Sequence, residues 1–174
     1  LQISPLAVIG LALNGVSISM VFGMGAVYGN SIGMSIGDIG YFMAAPVVGA
    51  MLLQYPVGRL SDRFDRRVVI LFVSAMATVT LLIAWQLGVG RWALLLVCMA
   101  VFGGFLFPMY SLCIAHANDF LTPSQMVGVA SGLVMMSGAG AVIGSPIAAL
   151  SLEYLGDDSF FPLLASTQIT TAIF

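Results

Sequence analysis

The positively charged side chains of this 174-residue sequence are concentrated in one short segment. The chain contains five arginines and no lysine, and four of the arginines lie within nine residues: Arg59, Arg63, Arg66 and Arg67. Two carboxylates, Asp62 and Asp65, stand between them. Guanidinium and carboxylate groups so close together can pair with one another, with helix ends or with phosphate groups. Residues 58–67 are therefore the first candidate for a functional element.

The rest of the chain is apolar. Hydrophobic residues make up 60% of it and charged residues only 7%, against about a quarter in soluble domains. Because a bilayer-spanning helix needs roughly 20 apolar residues, the gaps between charges predict an all-α membrane protein. Its six transmembrane helices are expected in a single unit over 1–174, at about 5–28, 36–57, 68–88, 92–115, 123–150 and 159–174.

The arginines also predict how the chain is threaded. Cytoplasmic loops carry an excess of Lys and Arg, so we expect the 58–67 loop and both chain ends on the cytoplasmic side. The opposite side then receives the loop near Asn30, the turn with Arg91, and the acidic segment 153–158. Two helix starts follow from capping patterns, one at Ser35 with Asp38 and one in the Thr122–Gln125 segment.

Several classes of function are excluded by composition. Without lysine there is no G-x-x-x-x-G-K-[ST] phosphate loop, and a single histidine cannot form H-E-x-x-H. Cys98 and Cys113 lie about 22 Å apart along one predicted helix, too far for a disulfide, and they form no zinc-binding cluster. A net charge of -2 leaves no case for nucleic-acid binding. We expect no enzyme, no cofactor and no metal site.

The arginine segment resembles a known transporter motif. Gly58-x-x-x-Asp62-Arg63-x-x-Arg66-Arg67, between the second and third spans, is similar to motif A of the major facilitator superfamily, G-x-x-x-D-[RK]-x-G-R-[RK]. The sequence departs from that pattern at Asp65, where the family has glycine. Aspartate is among the few residues that tolerate the left-handed backbone of a tight turn.

The resemblance implies a role for Asp62. In the family, the matching carboxylate belongs to a latch between the two halves of the transporter, which pairs with an arginine and a helix end and breaks during the conformational cycle. A second interpretation needs no latch: the arginines Arg63, Arg66 and Arg67 anchor the loop to anionic lipid head groups. Both roles can coexist.

The fifth predicted helix carries a second resemblance. Its glycine-rich segment contains Gly140, Gly144 and Pro146 and is similar to the G-x-x-x-G-P-x-x-G element, motif C, of antiporter members. Ser145 separates the last glycine from the proline. Small residues at this spacing let helices approach closely, and proline permits a bend. Ordinary small-residue packing explains the same residues.

The resemblance also implies a larger assembly. Transporters of this superfamily have twelve spans in two six-helix halves, with substrate bound between them near the bilayer midplane. A start without Met and a short last span lead us to expect one half of a longer protein, the C-terminal one, most similar to YcaD-type bacterial members. Its expected partners are membrane lipid, the other half and a small-molecule substrate, in a bacterial inner membrane.

Four polar residues are candidates for the substrate cavity: Asn14, Ser17, Gln54 and Tyr110. A carboxamide in the middle of a span is costly facing lipid, but a hydrogen bond between helices explains Asn14 equally well. Gln54 lies near a helix end, where a structural role is the simpler interpretation. Interfacial anchoring is the usual role of tyrosine.

A coupling proton would need an ionisable residue inside the membrane. No acidic residue falls in a predicted core, and His116, beside Asn118 and Asp119, is expected to form a local hydrogen bond instead. The titrating residue of a proton-driven transporter would then lie in the other half. The sequence leaves two classes of function: half of a secondary active transporter working by alternating access, or a self-associating small channel or transporter.

Overall fold

The chain folds into helices only, over the part that the structure describes. The structure is a computed structural model, and it describes residues 5–174 apart from the side chain of residue 89. Six long helical segments follow one another: α1 (Pro5–Ser31), α2 (Ile36–Ser61), α3 (Arg66–Leu87), α4 (Trp92–Asn118), α5 (Pro123–Leu155) and α6 (Phe160–Ile173). Helix α1 contains a π-helical turn at Met20–Met24, and 3-10 turns at Val89–Arg91 and Asp157–Ser159 precede α4 and α6.

Five of these helices, α1 to α5, are long and apolar enough to cross a bilayer, with 22 to 33 residues each. Helix α6 has 14 residues, about 21 Å of rise against roughly 30 Å of hydrocarbon. The predicted all-α membrane fold is confirmed, and the segment expected as the sixth span, 159–174, is a shorter helix.

The observed helices extend past the predicted spans at several ends. Helix α2 continues to Ser61 instead of 57, and α5 to Leu155 instead of 150. Hydropathy marks only the apolar stretch, whereas backbone hydrogen bonds continue into the polar ends. Both predicted caps are confirmed: the Ser35 hydroxyl accepts from the Asp38 N–H at 3.2 Å, and Thr122 begins α5 in a capping box.

The helices pack in a pattern with internal twofold character. The most extensive contacts join α2 to α4 and α1 to α5, and α3 packs on both α4 and α6. Exchanging α1 with α4, α2 with α5 and α3 with α6 maps the two main pairs onto each other. The bundle is thus built from two three-helix repeats, which is the nested arrangement found in transporter halves.

Backbone contact between helices holds the two main pairs together. A Cβ atom added at Gly140 or Gly144 of α5 would collide with the carbonyl oxygens of Ala12 or Val16 in α1. In the α2–α4 pair, a Cβ at Gly103 would collide with the backbone of Pro46. These glycines lie where the next helix leaves no room for a side chain, so the close approach itself requires them.

Replacing Gly140 by Ala tests this packing. We expect the free energy of unfolding to fall by about 1–3 kcal/mol, since the methyl group forces α1 and α5 apart. Gly138→Ala, on the same helix with open space around its Cα, is the matched control and should be neutral or stabilising because alanine favours the helix. Thermal unfolding in detergent measures both variants, and equal behaviour would contradict the proposed close contact.

Candidate functional site

The turn between α2 and α3 is built by two aspartates. Helix α2 ends at Ser61 with Asp62 as its C-terminal cap residue, and Asp65 is the N-terminal cap of α3. The Asp65 carboxylate accepts a hydrogen bond from the Arg67 backbone N–H at 2.8 Å. A carboxylate at this place satisfies a free N–H and favours the positive end of the helix dipole. Helix α3 therefore begins at Arg66 with a capped N-terminus.

Asp65 does not use the left-handed backbone that the sequence comparison suggested for this position. Its φ is -55° and its ψ is 125°, and no residue other than glycine among residues 5–174 has a positive φ. The turn is closed by side-chain capping, so glycine is not needed there. Aspartate can therefore occupy the position where the family pattern has glycine, because its side chain caps α3 and no left-handed backbone is required.

Arg66 joins the start of α3 to the end of α4. Its Nη1 donates to Asp119 Oδ1 at 2.9 Å and also to the backbone carbonyl of Ala115. The two side chains are 28% and 47% exposed, so the ion pair alone contributes little. Its geometry is favourable, however, because a cation at a helix C-terminus complements both the dipole and a free carbonyl. No sequence pattern indicated this pair.

A cavity of about 490 Å³ opens beside this ion pair. We call it the arginine cavity; it is lined by Ser61, Asp62, Phe64, Asp65, Arg66, Arg67, His116, Asp119 and Phe120. The Arg67 guanidinium lies over the Phe120 ring, 5.9 Å from its centroid. Cations and aromatic faces attract one another at such distances. Phe120 was not predicted as part of this region.

His116 lies at the wall of the arginine cavity and is 3% exposed. Its Nε2 atom has no hydrogen-bond partner among the described residues, and its ring packs edge-on against Phe120 at 5.3 Å. The local hydrogen bond that the sequence favoured is therefore not formed at Nε2. Asp119, the expected neighbour, pairs with Arg66 instead.

Asp62 differs from the other charged residues of this turn. It is exposed, and its carboxylate forms no hydrogen bond or ion pair within residues 5–174. It lines the arginine cavity and also a second opening of about 270 Å³ between α2 and α4, the α2–α4 cleft. It also lines a third opening, with Gln54, Tyr55, Gly58 and Arg59. The carboxylate predicted to act as a latch is thus accessible from three cavities.

Of the four predicted cavity residues, Gln54 is the one that lines the α2–α4 cleft. Other residues of the cleft are Gly58, Ser61, Asp62, Arg66, Pro108, Ser111, Leu112 and Ala115. Tyr110 is partly buried and packs against the apolar core near the arginine end. Ser111, its neighbour, is exposed and faces the cleft. Adjacent residues of a helix point in directions about 100° apart, so of these two residues only Ser111 lines the cleft. The sequence analysis named Tyr110 and not Ser111.

Asn14 and Ser17 lie inside the bundle. Ser17 is fully buried, with its hydroxyl 2.7 Å from that of Thr167 and 3.0 Å from the Gln168 amide nitrogen that donates to it. Asn14 is 1% exposed, and both polar atoms of its amide lack a partner among the described residues. The structure therefore brings Ser17 into contact with α6, between helices rather than on an open surface. Gln168 was the polar signal that the sequence analysis overlooked.

The glycine-rich segment of α5 is tied to α1 by two serines. The Ser145 N–H donates to Ser19 Oγ at 2.8 Å, and Ser145 Oγ donates to the Ser19 carbonyl at 2.9 Å. Ser19 directly precedes the π-helical turn of α1, and Ser145 directly precedes Pro146. The departure from the family pattern at Ser145 thus forms an interhelical hydrogen-bonded contact.

Comparison with known proteins agrees with this architecture. The family model described as Major Facilitator Superfamily matches residues 7–174, nearly all of the described helices. The chain belongs to the major facilitator superfamily. Among curated members of the superfamily, proteins named "Uncharacterized MFS-type transporter YcaD" from Shigella flexneri and from Escherichia coli O139:H28 are 26% identical over 171 residues.

These superfamily relatives are longer than the chain. The alignments cover 97% of this chain but 43% of each relative, so the chain spans less than half the length of the curated relatives it matches. The match supports an integral multi-pass membrane protein of a transporter family with bacterial members.

The buried amide of Asn14 can be tested by a replacement of similar volume. Asn14→Leu should leave the melting temperature unchanged or raise it, because it removes two buried polar atoms that have no partner. Ser17→Ala, the matched control, should lower the free energy of unfolding by about 0.6 kcal/mol, the mean value of a hydrogen bond between membrane helices. Scanning fluorimetry in detergent measures both. A strong loss of stability in Asn14→Leu would contradict this expectation.

Proposed function

We propose that this chain is one six-helix half of a secondary active transporter that moves a small molecule by alternating access. The observation that carries the proposal is the family match over residues 7–174 together with the capped, arginine-rich turn between α2 and α3. A role as the C-terminal half is part of the proposal, as is a location in a bacterial inner membrane.

The burial of the helices supports a partner half. Within their most apolar stretches, 44% of the residues of α1, α3 and α4 are buried in this chain, but only 22% in α2 and 11% in α5. Helix α5 exposes a row of large apolar side chains, among them Val142, Ile143 and Ile147. We infer that the other half covers parts of α2 and α5, with lipid on the remaining apolar surface.

In this arrangement we assign the substrate side to the α2–α4 cleft. Gln54 and Ser111 supply hydrogen-bonding groups there, beside the backbone of Gly58. Asp62, at the mouth of the cleft, has no partner within the described chain and is proposed to form the latch with the other half. The α5 glycines and Pro146 are proposed as the packing seam that lets α1 and α5 move together.

The alternative, a self-associating channel or transporter, predicts that copies of this chain contact each other through α2 and α5. Crosslinking in native membranes between cysteines placed on these helices distinguishes the half-transporter from the self-associating protein. Crosslinks to another segment of the same longer protein support the half-transporter, and crosslinks between identical chains support the alternative. A ligand-stabilisation screen on the purified protein then identifies substrates, since ligands that bind the folded state raise its stability.

The threading of the chain can be tested by labelling of single cysteines. In a background without Cys98 and Cys113, we expect Ser124→Cys, next to the arginine end, to react with a membrane-impermeant reagent from the cytoplasmic side only. Asp158→Cys should react from the opposite side only. Labelling of both positions from one compartment would contradict the proposed orientation.

The latch is tested by removing one charge at a time from the same turn. Asp62→Asn is expected to reduce transport about tenfold, the effect of losing a charge-assisted hydrogen bond of about 1.5 kcal/mol. Asp65→Asn is the matched control: it loses the same charge but keeps a good helix cap, so transport should change little. Uptake into proteoliposomes, with the substrate found in the screen, measures both. Equal uptake by Asp62→Asn and the unmodified protein would exclude the latch.

A further inference from the structure

The four clustered arginines serve two different purposes in the structure. Arg66 and Arg67 contact the end of α4 and the residues beyond it, through Asp119 and Phe120. Arg59 contacts only its own helix: its Nη1 lies 3.4 Å from the Tyr55 hydroxyl and its guanidinium 5.9 Å from the Tyr55 ring centroid. The guanidinium of Arg63 has no hydrogen bond or ion pair within the described part of the chain. The side chains of Arg59 and Arg63 therefore form no hydrogen bond or ion pair with another helix among the described residues.

These two arginines border a groove of about 370 Å³, which we call the Tyr55 groove. It is lined by Tyr55, Pro56, Arg59, Leu60, Arg63 and Phe64. Tyr55, Arg59 and Arg63 follow one another at intervals of four residues, which places them in one row along a helical backbone. Hydrogen bonds from the backbone N–H groups of Arg63 and Phe64 to Leu60 O, both 3.1 Å, continue this course past the end of α2.

The groove lies on a different side of α2 from the α2–α4 cleft, and of its residues Leu60 also packs against the apolar core. Gln54 and Gly58 line the α2–α4 cleft, whereas Pro56 and Leu60 line the groove. Pro56 follows Gln54 by two residues, and Leu60 follows Gly58 by two residues. Two residues correspond to about 200° around the helix. The groove therefore lies on the flank of α2 that is turned away from α4, and no residue of another helix lines it.

The charge of the groove is one-sided. Its lining contains two arginines and no acidic residue. Asp62, which stands between them in the sequence, lines the arginine cavity, the α2–α4 cleft and an opening that it shares with Tyr55 and Arg59, but not the groove itself. The remaining surface is amphipathic: Tyr55 is 71% exposed and Phe64 60% exposed, at the C-terminal end of α2 and just beyond it. A ligand that fits must carry a negative charge and tolerate apolar contact.

We propose that the Tyr55 groove binds the phosphodiester head group of an anionic phospholipid in the adjacent leaflet. Arginine binds phosphate oxygens through two parallel N–H donors, and the Tyr55 ring holds Arg59 in position along the helix. Leu60 and Phe64 contact the first methylene groups of the acyl chains. The proposal rests on the membrane location of α2 and holds whichever side of the membrane the arginine end faces. It is independent of the Asp62 latch.

Native mass spectrometry of the purified protein tests the groove. The probes are phosphatidylglycerol, which is anionic, and phosphatidylcholine, which has no net charge. Because each arginine near a membrane surface strengthens binding about fivefold, Arg59→Gln/Arg63→Gln should weaken the preference for phosphatidylglycerol by about thirtyfold. Arg91→Gln, which removes the fifth arginine at the opposite end of the bundle, is the matched control and should keep the preference.

Further measurements distinguish an effect of charge from a loss of folding and from binding of free phosphate. Arg59→Lys/Arg63→Lys should retain most of the preference, since lysine still binds phosphate as a point charge, and it decides the question where the glutamine variant does not fold. Inorganic phosphate at millimolar concentration should not displace the lipid. The proposal is wrong if the folded glutamine variant keeps the full preference, if Arg91→Gln loses it equally, if the lysine variant loses it, or if inorganic phosphate displaces the lipid.

Discussion

The fold depends on helix backbones that touch where side chains are smallest. Lipid tails are as apolar as leucine, so burial of apolar side chains between membrane helices gains little, and close packing has to hold the helices together. Gly140 and Gly144 bring α5 against α1, and Gly103 brings α4 against α2. These are the two most extensive helix pairs of the bundle. In each pair the two helices are in direct backbone contact.

The sequence predicted the helices, the charged turn and a close helix approach at the α5 glycines, but not which helices pair. Apolar runs between charges located every helix, because the length of a span is fixed by the bilayer. The caps at Ser35 and Thr122 were readable because they depend on neighbours within four residues. The pairing of Arg66 with Asp119 was not, since it joins residues 53 positions apart and follows from the antiparallel course of α3 and α4. The contact between Ser17 and Gln168 was not readable for the same reason, because these residues are 151 positions apart in the sequence.

The two ends of the bundle are stabilised by different interactions. At the arginine end, the partly exposed Arg66–Asp119 ion pair, the contact of Arg67 with Phe120 and helix caps connect the helices, and contacts of this kind are individually weak. At the opposite end, Tyr28 stacks on Phe160 with 4.5 Å between ring centroids, and each turn contains a glycine with positive φ. Separation at the arginine end therefore disrupts mainly charged contacts that water can replace. Separation at the other end exposes packed aromatic surface, which is costlier.

The contact between Ser19 and Ser145 connects the places where α1 and α5 depart from regular helix geometry. The π-helical turn of α1 begins directly after Ser19, and Pro146 donates no N–H to the carbonyl four residues before it. At one level of the bundle, both helices thus have a weakened internal hydrogen-bond ladder, and two hydrogen bonds that Ser145 donates to Ser19 stand in its place. We expect a bend in one helix at this level to be transmitted to the other. Since the contacts of Gly140 and Gly144 join the same two helices on the N-terminal side of Ser19 and Ser145, we expect α1 and α5 to respond to a change in the bundle as one body.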